Sequence, residues 1–240
     1  MLRWKHKDQS RYAANSSIRE LVFGLEDGIV STGGAVIGIA AGTGNDSVVV
    51  LSGFVIVIVE ALSMAAGTYL SSKSKRQLLE RRLRDEREEI ETLPEEEIAE
   101  LQEMYRERGF TTAEIEMLVH RVTQNKDLWL EEMACKELGI GLAQLSDNKN
   151  RAGVMWLAYS VGGLLPIAPF LLLPIQSAMV VTFVVSLTGL FAVGYWKGRV
   201  TKMNALRSAL EMTAIAASAG VAGYVIGRLV GFLTGIEIIG

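Results

Sequence analysis

Five long apolar segments limit what this 240-residue chain can fold into. Each is about as long as the ~20 residues that a helix needs to cross a lipid bilayer. They cover residues 21–43, 48–70, 152–173, 178–196 and 209–233. The sequence therefore predicts an all-α, polytopic membrane protein with five transmembrane helices. We expect four regions: an N-terminal segment (1–20), spans one and two (21–70), a polar insert (71–151) and spans three to five (152–240).

The basic residues predict how these spans are oriented. Of the 24 Lys and Arg residues, 23 lie in residues 1–20, 71–151 and 197–207, and only Arg228 lies elsewhere. Lys and Arg collect on the cytoplasmic side of membrane proteins. We therefore expect the N-terminus and residues 71–151 to be cytoplasmic and the C-terminus to lie outside. Since no targeting extension precedes the first span, we expect a prokaryotic plasma membrane.

Composition excludes several other classes of protein. The net charge of -3 argues against nucleic acid as a partner. A single cysteine, Cys135, excludes an intramolecular disulfide framework and a multi-cysteine zinc site. A lipid bilayer is the partner that the composition does indicate.

The insert at 71–151 is rich in residues that favour helix. We expect residues 73–92 to continue the second span as one helix, which Leu93-Pro94 ends. A second helix is predicted over 95–108, ended by Gly109, and a third from Thr111 or Thr112 to Leu138. The prediction is a three-helix cytoplasmic domain.

Acidic residues recur in this insert at helical spacing. Two pairs of glutamates are three residues apart, and a methionine and a glutamate are four apart, so each pair shares one helix face. These six side chains are Glu86, Glu89, Glu97, Glu100, Met133 and Glu137. Carboxylate oxygens with one thioether suit a divalent first-row metal. The same spacing is also compatible with a solvent-exposed helix face without metal. In that alternative the carboxylates pair with Arg81, Arg82, Arg84 and Arg87.

Two acids lie inside predicted spans, where ionisable groups are costly and often mark an ion or proton pathway. Asp27 lies in the first span and Glu60 near the middle of the second. Counting from the cytoplasmic ends puts Met64 at the depth of Asp27, with Glu60 about 6 Å deeper. Met64 alone would more often be a packing residue. Together the three side chains predict a stepwise path for a dehydrated cation.

Three stretches then resemble the vacuolar iron transporter family: FGLEDG at 23–28, ALSMAAGTYLS at 61–71 and GGLLPIAP at 162–169. The resemblance covers essentially the whole chain. It implies a five-span homodimer that exchanges cytoplasmic Fe²⁺, and often Mn²⁺, for protons. It implies that Asp27 and Met64 line a path at the dimer interface, and that the six insert side chains bind metal.

This chain departs from the family pattern at two positions. Ala134 stands where many members have a second methionine, which weakens the expected preference for iron over Mn²⁺, Zn²⁺ or Co²⁺. Thr68 stands where many have glutamate, so Glu60 is a candidate for the role of that residue.

The expected function is therefore proton-coupled export of Fe²⁺ from the cytoplasm, with no enzymatic activity. An alternative is a membrane-anchored protein that senses or buffers metal without transporting it. A membrane-bound di-iron enzyme would need Glu-x-x-His pairs on bundled helices. The chain has only two histidines, His6 and His120, and neither lies in such a pair.

Overall fold

The computed structural model describes residues 2–136 and 150–235, with side chains described for 17–135 and 150–235. Within these ranges all regular secondary structure is helical, which confirms the all-α prediction. The helices are α1 Leu2–Thr43, α2 Asp46–Thr92, α3 Pro94–Glu107, α4 Thr112–Thr123, α5 Lys126–Lys136, α6 Asn150–Leu172, α7 Ile175–Val200 and α8 Ala205–Thr234.

Five of these helices are long and apolar enough to cross a membrane, as predicted: α1 from Ser17 onward, α2, α6, α7 and α8. The connections from α1 to α2, from α6 to α7 and from α7 to α8 are short because specific residues end one helix and begin the next. Gly44 follows α1 with a positive φ of 60°, which glycine adopts without strain. The Asn45 side chain then accepts a hydrogen bond from the Val48 backbone N–H at 3.1 Å, and so caps the start of α2.

The chain divides into two compact units. One consists of Met1–Ala14 and Leu70–Asn148 and holds the acidic insert. The other consists of Asn15–Tyr69 and Lys149–Gly240 and holds the five spans.

Glycines set the helix spacing in the unit that holds the spans. Gly34, Gly38 and Gly42, which follow one another at every fourth residue of α1, lie directly against the α8 backbone. A Cβ on Gly38 would stand 2.8 Å from the carbonyl oxygen of Gly223. Small residues at this four-residue spacing permit such close contacts between membrane helices.

The apolar core of this unit forms two clusters. One joins α1, α2, α6 and α7 through Val36, Val57, Ile167 and Phe170 among others. The other joins α1, α7 and α8 through residues that include Ile29, Leu190 and Met212.

The acidic unit has its own core, formed where α3, α4 and α5 pack on the last turns of α2. Its buried members are Ile90, Leu101, Tyr105, Ile115, Val119, Val122, Trp129 and Met133. The predicted break at Leu93-Pro94 is confirmed, with α2 ending at Thr92 and α3 beginning at Pro94. Gly109 follows α3 with a φ of 85°, as predicted for a residue that ends a helix.

The prediction of one continuous third helix in the insert is wrong, because the structure has two helices in this region. α4 ends at Thr123 and α5 begins at Lys126. The Asn125 side chain accepts hydrogen bonds from the backbone N–H groups of Asp127 at 3.0 Å and Leu128 at 3.2 Å. This cap starts a new helix instead of continuing the old one. The predicted end at Leu138 lies outside the described residues.

Candidate ion pathway and metal-binding helices

Asp27 on α1 and Glu60 on α2 lie close enough for their carboxylates to interact electrostatically. Both side chains are half-buried in the single chain. The two helices are joined by a short turn, which keeps them antiparallel neighbours. The structure therefore brings together the two intramembrane acids that the sequence had selected.

Glu60 is also held by two hydroxyl groups that the sequence reasoning missed. Ser31 Oγ donates a hydrogen bond to Glu60 Oε2 at 3.0 Å. Tyr159 Oη, on α6, donates to the same oxygen. Ser31 Oγ and Tyr159 Oη lie 2.5 Å from each other. Three helices thus contribute to one polar cluster inside the spans.

Tyr159 reaches this cluster because α1 and α6 approach each other at glycines. A Cβ on Gly28 would stand 2.5 Å from the backbone oxygen of Tyr159, and a Cβ on Gly162 would stand 2.6 Å from that of Leu25. Only residues without a side chain allow this approach. The Tyr159 side chain is fully buried, and its hydroxyl finds partners, as a buried tyrosine requires.

Met64 lies four residues after Glu60, on the same face of α2, and is half-buried. Its predicted place at the depth of Asp27 stays a prediction, as does its role as a ligand.

The unit that holds the spans also contains a buried carboxylate, Glu20, that was not predicted. Glu20, near the start of the α1 span, is 3% exposed. Its Oε1 accepts a hydrogen bond from Arg151 Nε on α6 at 3.0 Å, a second from Nη2 of the same guanidinium, and one from Arg19 at 3.1 Å. Such pairing is what a buried carboxylate needs. Sequence alone gave no signal for it, since Glu20 and Arg151 are 131 residues apart.

In the acidic unit the predicted metal ligands differ in exposure. Glu86 and Glu97 are 2% and 5% exposed, whereas Glu89 and Glu100 are exposed. Met133 is fully buried within the apolar core. Glu137 lies outside the described residues.

Two buried glutamates are unusual in a small helical core, because burial of a carboxylate is costly unless it is compensated. Among the side chains at 17–135 and 150–235, no three His, Cys, Asp or Glu residues converge into a preformed metal site. The six-residue metal site therefore stays a prediction.

Two of the arginines that were candidate partners for these glutamates form ion pairs with aspartates. Arg81 lies 3.6 Å from Asp85, and Arg87 lies 3.7 Å from Asp127. These ion pairs are exposed and contribute little to stability.

Comparison with known proteins places the chain in a family. A model described as the VIT family matches residues 18–228, which run from α1 to α8. The chain belongs to the VIT family. It is 31% identical over 226 residues to vacuolar iron transporter 1 of Arabidopsis thaliana, covering 94% of this chain and 90% of that protein. It is 32% identical over 217 residues to vacuolar iron transporter 2 of Oryza sativa subsp. japonica, covering 90% and 88%.

Relatives outside plants match over a similar length. The vacuolar iron transporter of Toxoplasma gondii is 30% identical over 244 residues, covering 97% of this chain and 80% of that protein. The VIT-family match includes both the spans and the acidic insert, so Asp27, Glu60 and the insert glutamates all lie within the matched region.

Proposed function

We propose that this VIT-family protein transports Fe²⁺ across a membrane and exports it from the cytoplasm in exchange for protons. The observation that carries the proposal is the pair of carboxylates, Asp27 and Glu60, that interact within the spans. The relatives named as vacuolar iron transporters support iron as the cargo.

Two carboxylates in a largely apolar environment give the exchange a physical basis. If both are charged, they repel each other, and burial adds a cost to each charge. Either a divalent cation or a proton relieves this cost. Metal and proton therefore compete for the same oxygens, and departure of one favours arrival of the other.

Met64 adds a soft donor one turn from Glu60, which suits Fe²⁺ better than Mg²⁺ or Ca²⁺. The insert, in this proposal, captures Fe²⁺ from the cytoplasm with Glu86, Glu89, Glu97, Glu100, Met133 and Glu137. Burial of Glu86 and Glu97 supports that role, since carboxylates removed from water attract a cation more strongly than exposed ones do. Mn²⁺, Zn²⁺ and Co²⁺ are further candidate cargoes, because the donor set is mostly hard oxygen.

We also propose that the protein acts as a homodimer. Asp27, Glu60 and Met64 are only half-buried in a single chain. A carboxylate that faces lipid is costly, and a second copy placed against this face would cover it. Disulfide trapping tests this in a chain whose native cysteine has been removed by Cys135→Ser.

In that background Val59→Cys, exposed on α2 beside Glu60, is expected to form an intermolecular disulfide, and Val225→Cys, exposed on α8, is not. Equal trapping at both positions, or at neither, would contradict a dimer through the α2 face.

The expected orientation has the N-terminus and the insert in the cytoplasm. The plasma membrane expected from the sequence stays a prediction, since the named relatives are vacuolar transporters. Export from the cytoplasm has the same topology in both membranes.

Uptake of Fe²⁺ into sealed proteoliposomes tests transport directly. We expect Asp27→Asn, which keeps the shape and removes the charge, to lower the rate by at least about tenfold. Asp46→Asn is the matched control, because Asp46 is an exposed aspartate at the start of α2 in the same unit. Equal rates for the two variants would remove Asp27 from the pathway.

The same preparation separates transport from the alternative function. A protein that only senses or buffers metal would bind Fe²⁺ and leave the vesicle interior unchanged. Binding by the purified protein without any flux would therefore favour that alternative.

A further inference from the structure

Glu60 is held at only one of its two oxygens. Oε2 accepts hydrogen bonds from Ser31 and Tyr159, and within the described part of the chain Oε1 accepts none. We infer that Tyr159 and Ser31 are positioning residues for the cation: they fix Oε2 and leave Oε1 as the ligand atom. This inference rests on the proposed function, in which Glu60 is part of the ion path.

Such positioning matters because a free glutamate side chain rotates about three bonds. Ordering it when the metal arrives costs conformational entropy, and a carboxylate that is already oriented avoids that cost. Hydrogen-bonding partners behind metal ligands commonly change metal affinity by about 10–100-fold when they are removed.

The geometry around Tyr159 separates it from the other tyrosines of the spans. Tyr159 is fully buried, and the glycine contacts between α1 and α6 fix its backbone. Tyr69, Tyr195 and Tyr224 are exposed. Only Tyr159 among these four donates to a carboxylate within the described residues.

Ser31 strengthens the arrangement from a different helix. Its hydroxyl lies 3.0 Å from Glu60 Oε2 and 2.5 Å from Tyr159 Oη, so α1 and α6 both approach the same oxygen. Asp27, one turn before Ser31 on α1, is a second acidic group near this cluster. Oε1 is therefore the Glu60 atom available to share a cation with Asp27.

The experiment measures initial rates of Fe²⁺ uptake into proteoliposomes across a range of Fe²⁺ concentrations. Tyr159→Phe removes the hydroxyl and keeps the ring, and Ser31→Ala removes the second donor. We expect each to raise KM for Fe²⁺ by about tenfold, which corresponds to about 1.4 kcal/mol, with a smaller effect on the maximal rate. Ser31→Thr keeps a hydroxyl and is expected to restore a KM close to that of the unmodified protein.

Tyr195→Phe is the matched control, since it removes the hydroxyl of an exposed tyrosine and is expected to leave KM unchanged. A purely structural role for Tyr159 would lower the apparent melting temperature and leave KM unaltered. If Tyr159→Phe does not fold, the comparison of Ser31→Ala with Ser31→Thr decides the inference.

The outcomes separate this inference from the proposed function. Normal uptake by the unmodified protein, with unchanged KM in Tyr159→Phe and Ser31→Ala, would overturn the inference alone. No uptake by the unmodified protein, or full activity in Asp27→Asn, would overturn the proposed function.

Discussion

A methyl group added at Gly227 tests the close contact between α1 and α8. The Cβ of Gly227→Ala would stand 1.9 Å from the carbonyl oxygen of Gly38 and 2.8 Å from its Cα. Neither atom can move aside alone, because both belong to the α1 backbone. The two helices would have to separate locally by at least about 1 Å before the contact became tolerable.

The expected cost follows from what that separation disrupts. Gly223 and Gly231, one turn to either side, make the same kind of backbone contact with α1. Forcing extra volume into a well-packed interface costs about 1–3 kcal/mol. For a chain of this length each kcal/mol shifts the melting temperature by about 2–4 °C. We therefore expect the apparent melting temperature to fall by about 2–12 °C.

Gly153→Ala provides the control. Gly153 is an exposed helical glycine of α6, and a Cβ there meets no atom within 4 Å. Alanine favours helix over glycine by up to about 1 kcal/mol, so this variant should be slightly more stable than the unmodified protein. The assay is loss of the monodisperse peak in detergent after heating. Equal stability of the two variants would refute the interpretation of the glycine contacts.

Three further predictions concern a buried ion pair, a helix cap and the metal preference of the insert. Arg151→Met leaves buried Glu20 with one ion-pair partner among the described side chains, the exposed Arg19. We therefore expect a loss of about 3 kcal/mol in stability, measured by the same heating assay. An unchanged melting temperature would contradict a structural role for this pair. Hydrogen bonds from the Thr111 hydroxyl and backbone N–H lower the pKa of Glu114 below its usual 4.5. A lowered pKa stabilises α4 above that value, and this stabilisation is lost as pH falls through the lowered pKa. The protection factors of the amides at the start of α4, which correct for the intrinsic pH dependence of exchange, should therefore fall in acid, and fall less steeply in Thr111→Ala. The same steepness in both proteins would contradict this prediction. Ala134→Met adds a second thioether beside Met133. We expect the ratio of the Fe²⁺ uptake rate to the Mn²⁺ uptake rate to rise severalfold. An unchanged ratio would contradict this prediction.

Local signals explain the parts of the fold that the sequence predicted. The five apolar runs, the break at Leu93-Pro94 and the glycine after α3 are each determined by neighbouring residues, and each is present in the structure. The missed break between α4 and α5 was also local. Asn125 is a good N-cap residue and precedes Asp127 in the first turn of α5, but the helix-favouring composition on both sides concealed it.

The polar contacts of the spans could not be predicted in the same way. Tyr159 is 99 residues from Glu60, and a lone tyrosine in an apolar segment resembles an interfacial aromatic residue. The pairing depends on how closely α1 and α6 approach, and therefore on the packing of glycines from distant parts of the chain. Asp27 and Glu60 were predictable because an acid in an apolar span is conspicuous without its partners.

The exchange of metal for protons is tested most directly by reversing the pH gradient across proteoliposomes that hold equal Fe²⁺ on both sides. With an acidic interior, antiport predicts that Fe²⁺ accumulates inside as protons leave, and with an alkaline interior that Fe²⁺ is driven out. Asp27→Asn should slow both movements by at least about tenfold. Fe²⁺ movement in the same direction under both pH gradients would contradict exchange of metal for protons.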